Sequence, residues 1–173
     1  RTVESIRRQC KSIDDLITNA RRLSEIFTQE PELQSIDLNQ LLHSQVATIR
    51  SVYSGAEVTV DSDHEVSVRA DTMLSSVVSN LLENAIEHND AGHPQVAVRI
   101  EKNGDAAQLH VADNGPGIEP ERQRQIFEPS DEGPHGMGMY LVKTLTDRYG
   151  GDVRIGGSEL GGALITVELP VAQ

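Results

Sequence analysis

Between Asp71 and His88 the chain carries two stripes on one expected helix. Leu74, Val77, Val78, Leu81 and Ala85 recur at i, i+3 and i+4 spacing and form an apolar face, with Asp71 placed to cap the start. Ser76, Asn80, Asn84 and His88 follow one another at i+4 and form a polar stripe beside it. The apolar face has to be covered by other elements. The polar stripe must meet water or a ligand, and surface helices carry such stripes routinely, so alone it decides nothing.

The flanking segments supply the cover. Asp37 is a plausible N-cap for a helix from Leu38 to about Tyr53. "AEVTVDS" and "VSVRA" alternate like strands on either side of the turn-like "DSDH". "QVAVRIEKNG" and "DAAQLHVADNG" read as a hairpin turning at Asn103-Gly104-Asp105. A short helix near residues 119 to 127, a helix from about Met137 to Tyr149, and the strands "GDVRIGG" and "GGALITVELP" complete the order. Helices and antiparallel strands in this order predict an α/β two-layer sandwich.

Residues 1 to 30 are different. Val3, Ile6, Cys10, Ile13, Ile17, Ala20, Ser24 and Phe27 keep a strict 3,4 spacing, with Leu16 and Leu23 widening the stripe, and Pro31 ends it. That seam favours packing against other helices, in a homodimer, over lying on its own domain. The expected division is 1–35 for part of a helical bundle and 36–173 for the sandwich.

Bulk properties exclude several classes. A net charge of −12 argues against a nucleic-acid surface, which needs clustered Lys and Arg. With no run of eighteen apolar residues, no membrane contact is expected in this segment. The single cysteine, Cys10, forms no disulfide within the chain and suits a reducing, cytoplasmic location. Three Lys against twelve Arg and 27 acids, with few aromatics, resembles the acidic surfaces of salt-loving organisms.

Two further segments give the polar stripe its context. In "LHVADNGPGI", Leu109, Val111 and Asp113 share one face of a strand, which puts Asp113 partly buried at the strand's end. A carboxylate there must accept hydrogen bonds, and Gly115 and Gly117 after it allow a flat ligand close to the backbone. In "GPHGMGMYLV", Gly136 and Gly138 open a helix whose first N–H groups suit an anion.

With these three segments the chain resembles the catalytic and ATP-binding domain of a sensor histidine kinase, in the wider GHKL (Bergerat-fold) superfamily. "NLLENAIEH" is similar to that family's N box, "DNGPGI" to its G1 box, "IFEP" with Phe127 to its F box, and "GMGMYLVKTLTDRYGGDV" to its G2 box and following helix and strand. The resemblance covers about residues 36 to 170, and the helix before it looks like the second helix of a dimerisation and phosphotransfer bundle.

The resemblance implies the Bergerat form of the two-layer sandwich, a mixed sheet covered by helices on one face. It implies an ATP site in which Asp113 accepts from the adenine amino group and Asn84 coordinates Mg²⁺. Asn80 and His88 would line the phosphate side, and Gly136, Met137 and Gly138 would meet the triphosphate. Gly115, Gly117 and Phe127 complete the implied set. The γ-phosphoryl group would pass to a histidine of the bundle and on to a response regulator receiver domain. No histidine precedes His43, so the acceptor is expected on a helix that this chain lacks.

Two departures from the family pattern bear on activity. Glu87 stands where many relatives have a basic residue, and is expected to turn to solvent. Pro134 replaces the first G2 glycine in a lid only eight residues long between Phe127 and Gly136. They leave a non-catalytic nucleotide-sensing or docking module as the alternative. An ATP-hydrolysing clamp of the same superfamily ranks lower, because Asn80 occupies the place of its general base and cannot take a proton.

Overall fold

The structure is a computed structural model that describes residues 17–28, 30–62, 65–129 and 136–172. In chain order the elements are α1 (residues 17–28), β1 (Gln34–Asp37), α2 (Leu38–Val52), β2 (Glu57–Asp61), β3 (Ser67–Ala70) and α3 (Leu74–Glu87). They continue with β4 (Gln95–Asn103), β5 (Ala106–Asp113), α4 (Pro120–Gln125), α5 (Gly136–Arg148), β6 (Asp152–Gly157) and β7 (Ala163–Pro170). Five strands form one mixed sheet in the order β2-β4-β5-β7-β6, parallel only between β2 and β4. The expected hairpin is present: Asn103 pairs with Ala106, and Gly104 takes the positive φ of 62° that the turn needs.

The strand-like segments around "DSDH" do not pair with each other. β2 joins the large sheet beside β4, with Val58 opposite Val96, and β3 pairs antiparallel with β1 in a separate two-stranded ribbon. A parallel pair requires a crossover connection, and the chain between β2 and β4 supplies one that contains α3. This topology lays α3 along the sheet.

Strand alternation makes the sheet one-sided. Val96, Val98, Ile100, Leu109, Val111, Ile165 and Val167 are buried on the helix-covered face. The other face is polar, with Gln108 Nε2 donating to Glu168 Oε2 at 2.7 Å and His110 Nδ1 3.0 Å from Thr166 Oγ1. Leu74, Val77, Val78, Leu81, Leu82 and Ala85 of α3 complete the core together with Leu141, Val142 and Leu145 of α5. Each buried Val or Leu among them contributes roughly 1.5–3 kcal/mol relative to exposure. The two-layer sandwich expected from the sequence is therefore observed.

Asp37 caps α2 as expected, accepting from Gln40 N at 3.0 Å. Asp71 does not cap α3, which begins at Leu74. Its Oδ1 accepts instead from Met73 N at 2.8 Å and from the Tyr149 hydroxyl at 2.5 Å, tying the entry of α3 to the end of α5. Burial, and then the neighbouring Asp71 carboxylate, push the Tyr149 pKa far above the phenolic value. The unfolded chain ionises this tyrosine near pH 10, so the folded state keeps its advantage below that pH and loses it as pH rises above about 10. Tyr149→Phe is expected to cost about 1–3 kcal/mol at neutral pH by stripping a partner from Asp71. Thermal melts from pH 8 to 11 should show a smaller alkaline decline in the variant than in the wild type.

α1 lies on the domain through one side only. Asn19, Leu23 and Ile26 are buried, and Arg148 Nη1 donates to Ile26 O at 2.6 Å. The seam positions Ile17, Ala20, Ser24 and Phe27 face away from the domain, Ile17 and Phe27 being 58% and 70% exposed. Val3, Ile6, Cys10, Ile13 and Leu16 lie outside the described residues. No helix among the described residues is long and apolar enough to cross a membrane.

Candidate functional site

Because α3 turns its apolar stripe to the sheet, its polar stripe faces a cleft. Ser79, Asn80, Glu83, Asn84, Glu87 and His88 form one wall. Gly138, in the first turn of α5, closes one side, and Thr18, Asn19 and Arg22 of α1 stand across from them. A Cβ at residue 138 would come within 2.6 Å of Asn80 Oδ1, so α5 reaches α3 this closely because the residue is glycine. Asn80 Nδ2 donates to Ser76 O at 2.6 Å, which sets the carboxamide with its oxygen toward α5.

Asp113 ends β5 half-buried, as expected of a strand terminus. Its Oδ1 accepts from Gly115 N at 2.8 Å and from Ala163 N at 3.1 Å. Gly162 N donates to Asp113 O at 3.1 Å, and a Cβ on Gly162 would sit 2.0 Å from Asp113 Oδ1. The end of β5 and the start of β7 thus hold one carboxylate oxygen through the main chain. The second oxygen accepts no hydrogen bond among the described residues and stays available to a donor.

Two asparagines that sequence reasoning passed over join this corner to the helix. Asn114 Oδ1 accepts from Asn89 Nδ2 at 2.7 Å and from Gln95 N at 2.8 Å, and Asn114 Nδ2 donates to His93 O at 3.1 Å. A Cβ on Gly115 would lie 3.4 Å from Asn89 Cα, so the loop after β5 rests directly on the residues that follow α3. "HND" and "DNG" each read as a turn, and only the fold brings the two together.

Not all the expected site residues share the cleft. Asn80, Asn84, His88 and Gly138 line it together. Gly117, with φ of 75°, lines a separate hollow beside Ile118, Gly156 and Gly162. Phe127 and Met137 are half-buried and pack against the core. Gly136 is the first residue of α5. Residues 130–135 of the lid, with Pro134 and His135, lie outside the described residues. Glu87, expected to turn away, is exposed yet stands in the cleft wall, where its Oε1 accepts from Tyr53 OH at 2.5 Å. Thr18, Asn19 and Arg22 were missed as well, because the heptad pattern drew attention to the opposite side of their helix.

The combination is one of carboxamides, glycine amides and a main-chain-held carboxylate. Such groups can position an aromatic base and a polyphosphate without forming a covalent bond. Known proteins are similar to this chain in sequence and fold. The family model for histidine kinase-, DNA gyrase B- and HSP90-like ATPases matches residues 70–173. The sensor protein RstB of Escherichia coli is 28% identical over 92% of this chain and 38% of its own length. The sensor protein kinase PmrB of Pseudomonas aeruginosa is 32% identical over 90% of this chain and 37% of its own length. The chain therefore spans between a third and two fifths of these relatives. The crystal structure of full-length ShkA in complex with AMPPNP superposes with a TM-score of 0.79 at 25% identity, covering 99% of this chain and 38% of that one. Fold and similarity agree, and the chain belongs to the histidine kinase-, DNA gyrase B- and HSP90-like ATPase family, as an ATP-binding domain of the histidine-kinase type.

Proposed function

We propose that the chain is the kinase domain of a two-component sensor histidine kinase. It moves the γ-phosphoryl group of Mg·ATP to a histidine on a bundle helix, for relay to a response regulator receiver domain. The observation that carries this reading is the convergence on α3. Asn80, Asn84 and His88 face one cleft along the helix, and the Asp113 corner rests on the residues that follow it.

In this reading the free oxygen of Asp113 accepts from the adenine amino group, and Gly115 lets the base approach. Asn84 offers a neutral, hard carboxamide oxygen to Mg²⁺. Among the described residues no group of three His, Cys, Asp or Glu side chains could hold a metal, so a cation at Asn84 would draw the rest of its shell from phosphate oxygens and water. Bound there, Mg²⁺ would neutralise charge on the β- and γ-phosphates. Asn80, His88 and the amides at the start of α5 orient the triphosphate. As the acceptor nitrogen bonds to the γ-phosphorus, the bond from that phosphorus to the bridging oxygen breaks and ADP leaves. The protein's share is positioning and electrostatics.

The exposed seam of Ile17, Ala20, Ser24 and Phe27 supports α1 as part of a dimeric helical bundle. Glu87 in the cleft wall favours the second reading, a nucleotide sensor without transfer, since it puts a carboxylate where a basic residue would meet phosphate. Thermal melts with ATP at millimolar Mg²⁺ test binding, and saturating ligand at a hundred times its Kd is expected to add about 2.7 kcal/mol of stability. Transfer to a bundle helix bearing an acceptor histidine, supplied in trans, then separates kinase from sensor. Binding without transfer selects the sensor.

A further inference from the structure

We propose that α1 completes the phosphate end of the nucleotide site: Arg22 contacts the terminal phosphate of ATP, and Asn19 hydrogen-bonds beside it. This rests on the cleft being an ATP site, and adds to it two residues that lie outside every box of the family pattern. Arg22 and Asn19 project from α1 across the cleft from Asn80 and Asn84. Among the described residues that line the cleft, Arg22 is the one guanidinium or ammonium group, set against the carboxylates of Glu83 and Glu87. It is half-buried and forms no ion pair among the described residues, whereas its neighbour Arg21 turns outward to pair with Glu25. Asn19 is only 6% exposed, and its carboxamide makes no hydrogen bond among the described residues. Its amide atoms are not among the buried groups left without a partner, so the carboxamide reaches the open cleft and can offer its hydrogen bonds to a ligand there.

Charge leads to the same occupant. A polyphosphate needs positive charge to meet it, and the protein carries −12 overall. At position 87 the chain has Glu, held by Tyr53, and Arg22 brings a guanidinium to the cleft from the opposite wall. A guanidinium fork can hold two phosphate oxygens at once. The position of α1 is itself well defined, by burial of Leu23 and Ile26 and by the Arg148–Ile26 hydrogen bond.

The test compares binding of ATP, ADP and AMP, with Mg²⁺, to the wild-type chain and to variants of α1. Arg22→Ala is expected to weaken ATP by about tenfold or more, ADP by less, and AMP not at all, because one charge-assisted contact to the last phosphate is lost. Arg22→Lys should recover part of the ATP affinity, Asn19→Ala should lower it a few fold, and Arg21→Ala should leave it unchanged. Unaltered melting of the unliganded variants confirms that α1 remains docked. If that melting falls, the Arg22→Lys ratio of ATP to AMP affinity decides. A ratio equal to wild type overturns the proposal, and a reduced ratio supports it. An Arg22→Ala chain that binds ATP as well as wild type, or better, overturns the proposal and leaves the ATP site intact. A wild-type chain that binds none of the three nucleotides overturns the ATP site, and the role of α1 with it.

Discussion

Asp113→Ala is expected to lower ATP affinity by about a hundredfold, the largest single binding effect in the domain. Two losses combine. The adenine amino group loses its charged acceptor, a contact worth about 1.5–3 kcal/mol. Gly115 N and Ala163 N lose the oxygen that holds their loops together. Asp113→Asn separates the two losses, because an amide oxygen can still accept from both N–H groups while the NH₂ now faces the base. Two donors then oppose each other across the gap, and ATP is expected to bind as poorly as it does to the alanine variant. A nucleotide with an oxo group in place of the amine should lose far less, so ATP and ITP affinities should converge in the variant. Isothermal titration of both nucleotides checks this. Unchanged preference for ATP in Asp113→Asn would remove the carboxylate from base recognition.

Asn84→Ala is expected to reduce phosphotransfer by about 10²–10³-fold while leaving Mg²⁺-free ATP binding nearly unchanged. The reasoning is electrostatic. A Mg²⁺ held by Asn84 would supply positive charge beside the phosphates, and removing one such preorganised stabiliser typically costs rate on this scale. With the base held by Asp113 as proposed, affinity measured without metal should barely register the change. Radiolabel transfer to an acceptor bundle helix, together with nucleotide binding with and without Mg²⁺, gives the two readouts. A variant that transfers normally, or one that loses metal-free binding equally, would take the metal away from Asn84.

Much of this domain could be read from local pattern, because its central elements are long and their periods clean. α3 shows a 3.6-residue period across its whole length, and β4 and β5 alternate around an Asn-Gly turn. Both are short-range signals. The ribbon of β1 with β3 could not be read the same way, since each strand is four residues long and the partners lie about thirty residues apart. Nor could the parallel pairing of β2 with β4, which depends on a crossover rather than a turn. Asp71 looked like a helix cap because an Asp before an apolar run usually is one. Its preference for Tyr149 depends on a helix more than seventy residues away.

The site divides in a similar way. Asn80, Asn84, His88 and Gly138 could be assembled from spacing and resemblance, and the fold brings them to one cleft. Asn89 and Asn114 could not, since each is an ordinary turn residue until the strand and helix ends meet. The side of α1 that carries Asn19 and Arg22 was hidden for a different reason. A heptad seam is the stronger pattern, and it selects the face that points away from the domain.

The hold on Asp113 has a consequence for how such a domain can diverge. In the proposed site the carboxylate that meets the base is oriented by an amide of the loop after β5 and by the first amide of β7, and not by packed side chains that could drift one at a time. On that reading, substitutions along the cleft are expected to retune turnover or nucleotide release without altering which base is selected. Only a slip in the alignment of β5 against β7, or a side chain at Gly162, would change that choice. Either would disturb the middle of the sheet, so base selection and folding are expected to be lost together.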